Sequence, residues 1–194
     1  MSEVLIEAAC AALGDEESAR PSAELLADED AELGIAGLHA WWVDEKGAAE
    51  LSRGLGPGLT IPAGIVFIGE SGGTRHSGKT ASGNTLRGRI KEFAGGKSGT
   101  LCTTLDAILH GALGPDSEVG THLTQWMAAH LRVTTWATDD ERQLEDIKNG
   151  VLGKHALPFD LQSPDNEFKA RISELRTQRK REKQAKSAPP TAAE

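Results

Sequence analysis

The chain of 194 residues is long enough for one domain with its own hydrophobic core and too short for two large ones. Its 38% hydrophobic residues, 26% charged residues and net charge of −8 are ordinary for a soluble protein, and no apolar run approaches the roughly 20 residues that span a bilayer. Cys10 and Cys102 have no metal-ligand spacing and form no disulfide framework, so we expect a cytoplasmic protein without a membrane partner.

Charge is distributed unevenly along the chain. Residues 1–36 contain ten acidic side chains and a single basic one, Arg20. Residues 73–97 contain six basic side chains and one acidic one, and residues 176–186 are again mostly basic. This asymmetry permits a local basic surface for phosphate groups despite the acidic total.

The spacing of apolar residues predicts an α+β domain: a small antiparallel three-stranded sheet flanked by helices. Gly, Pro and Asp clusters mark the breaks between the elements. In chain order we predict helices over residues 2–13 and 23–26, a strand over 37–43, a helix over 48–53, a strand over 65–68, helices over 85–93 (capped by Asn84), 101–112 and 119–130, a strand over 131–136, and helices over 144–152 and 165–186.

The same features divide the chain into four segments. Residues 1–34 are an acidic helical extension, and residues 35–163 contain the sheet and most helices. Residues 164–186 form a basic C-terminal helix, and the Ala- and Pro-rich residues 187–194 are expected to be a disordered tail. We also hypothesise that the acidic extension covers a basic groove elsewhere in the protein.

Residues 73–80, GTRHSGKT, match the phosphate-binding pattern G-x-x-x-x-G-K-[ST] in every position. In a P-loop the strand runs directly into the first glycine and the helix begins at the Lys-Thr pair. Here the predicted strand ends several residues earlier, and a glycine interrupts the turn that follows. A nucleotide-binding P-loop is therefore a distant alternative, and Arg75 and Lys79 are better candidates for contacts with a nucleic-acid backbone.

A second pattern extends over residues 33–175 and resembles the GIY-YIG nuclease superfamily, in its compact bacterial form. GLHAWW at 37–42 stands in place of the first motif, and VFIG at 66–69 in place of the second. TLRGRI at 85–90 resembles the helix with the essential arginine, which falls on Arg89. Residues 123–127, 131–136 and 157–160 resemble later segments. The resemblance implies a GIY-YIG-like fold for residues 35–163 and DNA as the partner.

The chemistry that this resemblance implies is metal-dependent phosphodiester hydrolysis. In it Mg²⁺ or Mn²⁺ is held by a carboxylate, a tyrosine helps to activate water, and Arg89 stabilises the developing negative charge. The chain contains no tyrosine, because His39 and Phe67 occupy the two tyrosine positions. His39 would then be the base. Glu145 would be the metal ligand, since the family's carboxylate position falls on Lys148 or Asn149 one turn later.

Both tyrosines and the metal-binding carboxylate of the family are thus replaced in this chain. These three substitutions favour a catalytically impaired relative that keeps nucleic-acid binding. The alternative is an active divalent-metal-dependent endonuclease with a rebuilt site, so whether the chain is an enzyme stays open. We expect Arg75, Lys79 and Arg87 to contact nucleic acid, and Arg89 and His39 to form the centre of the site. The acidic N-terminus and the basic C-terminal helix are candidate surfaces for a protein partner.

Overall fold

A computed structural model describes residues 2–72, 85–96, 99–113 and 119–187. The predicted elements are present in these ranges, with two short 3₁₀-helices added at Glu16–Ser18 and Ala31–Gly34. The helices and strands are α1 (Ser2–Leu13), α2 (Ser22–Ala27), β1 (Gly37–Val43), α3 (Glu45–Leu55), β2 (Gly64–Ser71), α4 (Leu86–Ala94), α5 (Thr100–Leu113), α6 (Val119–His130), β3 (Leu131–Ala137), α7 (Leu144–Leu152) and α8 (Lys169–Ser187). The tail predicted at 187–194 lies almost wholly outside the described residues.

The three strands form one antiparallel sheet in the order β2-β1-β3. β1 is therefore the central strand, and its His39 lies opposite Gly69 of β2 and Thr135 of β3. An irregularity between Trp41 and Trp42 shifts the register on the β2 side. The predicted α+β class with a three-stranded antiparallel sheet flanked by helices is confirmed.

Helices cover both faces of the sheet, because alternate strand residues point to opposite sides. On one face Trp41 and Val43 join a large core built with α3, α4, α5, α6 and α8. On the other face Leu38 and Ala40 pack with α1 and α7. The two cores together bury most of the apolar residues of β1.

β2 is an edge strand, and its free side is where the candidate site forms. The backbone N–H of Phe159 donates to the carbonyl of Val66 at 3.0 Å, which lays the segment after α7 along this edge. The side-chain amide of Asn166 donates to the carbonyls of Pro158 and Asp160 at 3.1 and 2.7 Å. These bonds fix the segment that closes one wall of the site.

The N-terminal segment is part of the packed structure. Ile6 and Leu13 of α1 are buried in the second core, and Leu25 and Leu33 are buried in the first. Arg20 exchanges two backbone hydrogen bonds with Val133 on the outer edge of β3, at 3.1 and 2.8 Å. Residues 2–34 therefore complete both layers of the fold.

The start of α4 positions the arginines that the sequence selects. Thr85 is its N-cap, with its hydroxyl accepting from the N–H of Gly88 at 3.2 Å. The cap predicted at Asn84 lies outside the described residues. Leu86, Ile90 and Phe93 are buried along one face of the helix, which leaves Arg89 at the boundary of that face.

Candidate functional site

A cleft of about 250 Å³ lies at the edge of β2 and brings together residues from five elements and a loop. His39 comes from β1, Gly69 and Glu70 from β2, Arg89 from α4 and Lys148 from α7. The loop after α7 contributes Asp160. The two residues predicted for the centre of the site, His39 and Arg89, thus line the same concavity. None of residues 2–34 is among the described residues that line it, so the hypothesis of an acidic cover over this cleft is not supported.

His39 is completely buried and acts as a fixed neutral group. Its Nδ1 lies 3.0 Å from the indole Nε1 of Trp41 and accepts the indole hydrogen, so the proton of the neutral ring is on Nε2. Burial, and then the nearby positive charge of Arg89, lower the pKa of His39 from 6.5 to about 3. Nε2 finds no hydrogen-bond partner among the described residues. This state suits a hydrogen-bond donor and does not suit the base that we predicted from the sequence.

Gly69 makes room for the imidazole across the strand pair. A Cβ at this position would lie 2.5 Å from Cε1 and 2.8 Å from Nε2 of His39, closer than real Cβ contacts. A third clash, at 2.9 Å, would involve the ring of Phe67. Gly69 is therefore required by packing against His39.

Aromatic rings hold Arg89 in place. Its guanidinium carbon lies 4.7 Å from the ring centroid of Phe93, which is a cation–π contact. Phe93 in turn makes edge contacts with His39 and Trp41, at centroid distances of 5.5 and 5.9 Å. The Nη1 of Arg89 donates to Glu92 at 3.1 Å, and its side chain remains 31% exposed. The stacked guanidinium is pre-oriented, with donors left for a ligand.

The far wall of the cleft contains an ion pair where the family pattern implies a metal carboxylate. The ammonium of Lys148 lies 3.0 Å from Oε2 of Glu70. Glu145, predicted as the metal ligand, is exposed and does not line the cleft. The described residues contain no group of three His, Cys, Asp or Glu that could hold a metal ion. The carboxylate of Glu70 is paired with Lys148, so the cleft does not present it as a free oxygen ligand of the kind that Mg²⁺ and Mn²⁺ prefer.

Arg87, which was also predicted to contact nucleic acid, does not line the cleft. Arg87 donates to the carbonyls of Leu26 and Asp28 at 2.8 and 2.6 Å, so its guanidinium ties α4 to the N-terminal segment. This is a structural use of the donors that we had predicted for phosphate binding. Arg75, Lys79 and the whole P-loop-like match at 73–80 lie outside the described residues.

Two members of the site were missed in the sequence. Glu70 directly follows Gly69, and only the antiparallel register shows that it reaches α7. Phe93 has helical spacing from Arg89, at i and i+4, which is a readable sign of a contact on one helix face. The sequence comparison placed the family's carboxylate position at Lys148 or Asn149. The pairing of Lys148 with Glu70 could not be predicted, because it depends on how α7 packs on β2.

No helix in the described ranges combines the length and apolarity that crossing a bilayer requires. Comparison of the chain with protein-family models, with curated proteins and with solved structures gives no match.

Proposed function

We propose that this chain is a GIY-YIG-like protein that binds a nucleic-acid phosphate in the cleft and hydrolyses it weakly or not at all. The observation that supports this is the chemistry of the lining. Arg89 and Lys148 present hydrogen-bond donors to one concavity, the Nε2–H of His39 is buried in its wall, and a lysine–glutamate pair stands where hydrolysis would need a metal-binding carboxylate.

The case for phosphate binding begins with donor groups that lack partners. The Nε2–H of His39 is buried and unpaired, and an unsatisfied buried donor costs about 1–3 kcal/mol. An acceptor oxygen that reaches the ring would remove this penalty. Arg89 adds a planar fork that pairs with phosphate oxygens, and its stacking on Phe93 reduces the entropy lost on binding.

The case against hydrolysis rests on the same atoms. Phe67 has no group that can activate a water molecule. His39 has its proton on Nε2 and its lone pair on Nδ1 occupied by Trp41, so neither nitrogen is ready to accept a proton. The charges of Arg89 and Lys148 are balanced by Glu70 and Asp160 in the lining. We therefore expect modest affinity that depends on a few well-placed donors.

The test is binding of fluorescently labelled DNA, measured by anisotropy at several salt concentrations. Arg89→Ala is expected to weaken binding about tenfold, because it removes a charge-assisted pair with phosphate. Arg53→Ala is the matched control, since Arg53 is an exposed arginine at the end of α3 and does not line the cleft. Equal affinities of wild type and Arg89→Ala would contradict the proposal.

A second assay separates binding from catalysis. Supercoiled plasmid is incubated with wild type and Arg89→Ala in the presence of Mg²⁺ or Mn²⁺. We expect little or no nicking by either protein. Efficient metal-dependent nicking that is lost in Arg89→Ala would replace the proposal with the active endonuclease.

A further inference from the structure

A second groove, of about 500 Å³, lies between α5 and α8 and is strongly basic. Four of the residues that line it are cations and one is a carboxylate, Asp106. This is unusual in a chain with a net charge of −8. The lining consists of Thr103 and Asp106 from α5 and of Arg176, Thr177, Arg179, Lys180, Lys183 and Gln184 from α8.

Asp106 anchors α8 and leaves part of the basic surface free for a partner. Its side chain is 7% exposed and accepts hydrogen bonds from Arg179, at 3.2–3.3 Å, and from Lys183, at 2.6 Å. This pairing fixes the helix but neutralises only part of its charge. Among the described residues, Arg176 and Lys180 make no ion pair. They are the charges available to a ligand.

The cations of α8 form a stripe with regular spacing. Arg176, Lys180 and Lys183 stand at i, i+4 and i+7, which places them on one side of the helix. At 1.5 Å per residue the stripe is about 10 Å long. Successive phosphates of one strand of a helical nucleic acid rise by about 3.4 Å, so the stripe spans roughly three of them.

The groove adjoins the cleft described above. Thr100 lines the cleft, and Thr103 lines the groove. Both are exposed and lie in the first turn of α5, where residues at i and i+3 are neighbours on the helix surface. One turn of one helix thus separates the two sites.

We propose that a nucleic-acid strand with a phosphate in the cleft continues across the first turn of α5 onto the stripe of α8. The inference rests on the proposed function for the class of partner and for the position of the first phosphate. It assigns to α8 a role in affinity, with the stripe adding contacts that only a longer ligand can reach.

The test compares a single-stranded oligonucleotide of about 20 nucleotides with one of about 4, by anisotropy over a range of salt concentrations. The double variant Arg176→Ala/Lys180→Ala is expected to weaken binding of the long oligonucleotide about tenfold and to leave the short one unchanged. It should also lower the slope of log affinity against log salt by about 1.4, since each lost phosphate contact on a single strand contributes about 0.7.

The control Arg53→Ala/Arg181→Ala removes two charges outside the groove. An equal loss of affinity in this control would show a general charge effect and would overturn the inference. So would an unchanged affinity of Arg176→Ala/Lys180→Ala for the long oligonucleotide, or preferential binding of poly-glutamate competitor to this face. If the double variant fails to fold, the single variant Lys180→Gln, at an exposed position, gives the same comparison.

Arg89→Ala, measured in parallel, separates the two proposals. Both proposals are supported if Arg89→Ala binds both oligonucleotides more weakly and Arg176→Ala/Lys180→Ala binds only the long one more weakly. If Arg89→Ala weakens binding and Arg176→Ala/Lys180→Ala does not, the inference is overturned and the cleft remains the proposed site. If Arg176→Ala/Lys180→Ala weakens binding and Arg89→Ala does not, the cleft is not the binding site. The proposed path of the strand from the cleft to α8 is then overturned as well.

Discussion

The buried neutral histidine makes the stability of this protein depend on pH in a way that can be calculated. In the unfolded chain His39 is protonated below its ordinary pKa of 6.5, whereas in the folded protein burial and Arg89 keep it neutral down to about 3. Between these pH values the unfolded state binds more protons than the folded state, so the free energy of unfolding decreases as pH falls. Each pH unit below 6.5 removes about 1.36 kcal/mol, which amounts to about 2 kcal/mol between pH 7 and pH 5.

The measurement is urea unfolding of wild type and His39→Asn at pH 7, 6 and 5. Asparagine retains an oxygen acceptor for the indole of Trp41 but does not titrate in this range. Carboxylates contribute equally to both proteins, so the difference between them isolates the imidazole. His122→Gln, at an exposed position of α6, is the matched control and should follow wild type.

The reasoning would be refuted if wild type and His39→Asn lost the same free energy of unfolding between pH 7 and pH 5. That result would mean that the folded imidazole becomes protonated as readily as the unfolded one. The donor role of Nε2 in the proposed phosphate contact would then lose its basis as well.

Two further predictions concern packing. Gly69→Ala should lower the free energy of unfolding by about 1–3 kcal/mol, because its Cβ would lie 2.5 Å from the imidazole opposite. Gly34→Ala is the control and should be near neutral, since no atom lies within 4 Å of its Cβ position; equal effects would contradict the steric argument. Asp106→Ala should cost about 3–5 kcal/mol by chemical denaturation, because it removes the buried counterion of Arg179, which keeps only the partly exposed Glu182 at 3.6 Å. A loss below about 1 kcal/mol, or one no larger than in the exposed Asp139→Ala, would refute the anchoring role.

The sequence predicted the elements well where apolar spacing is strong. β1 is observed over the predicted residues 37–43, and α7 and α6 also have their predicted bounds. β2 extends to Ser71, three residues beyond the predicted end at 68, because Glu70 and Ser71 pair with Leu38 and Gly37 of β1. Glu70 and Ser71 are polar, so the spacing of apolar residues could not predict that the strand continues through them.

The site was predicted in part, and the missing part depends on tertiary packing. His39 and Arg89 were selected from motif order, and both line the cleft. The role of the histidine could not be read, because its protonation depends on burial and on the hydrogen bond from Trp41. Glu145 was chosen for its helical spacing alone, but the turn of α7 that reaches the cleft is the one that contains Lys148.

The guanidinium of Arg87 has a consequence for any shortened form of this protein. It is bonded to the carbonyls of Leu26 and Asp28, and its helix also contains Arg89. A chain that starts at residue 35 would remove those acceptors and uncover apolar surface of the sheet. Loss of DNA binding by such a truncation would therefore report a displaced arginine helix, and it would not identify the acidic segment as a ligand-binding element.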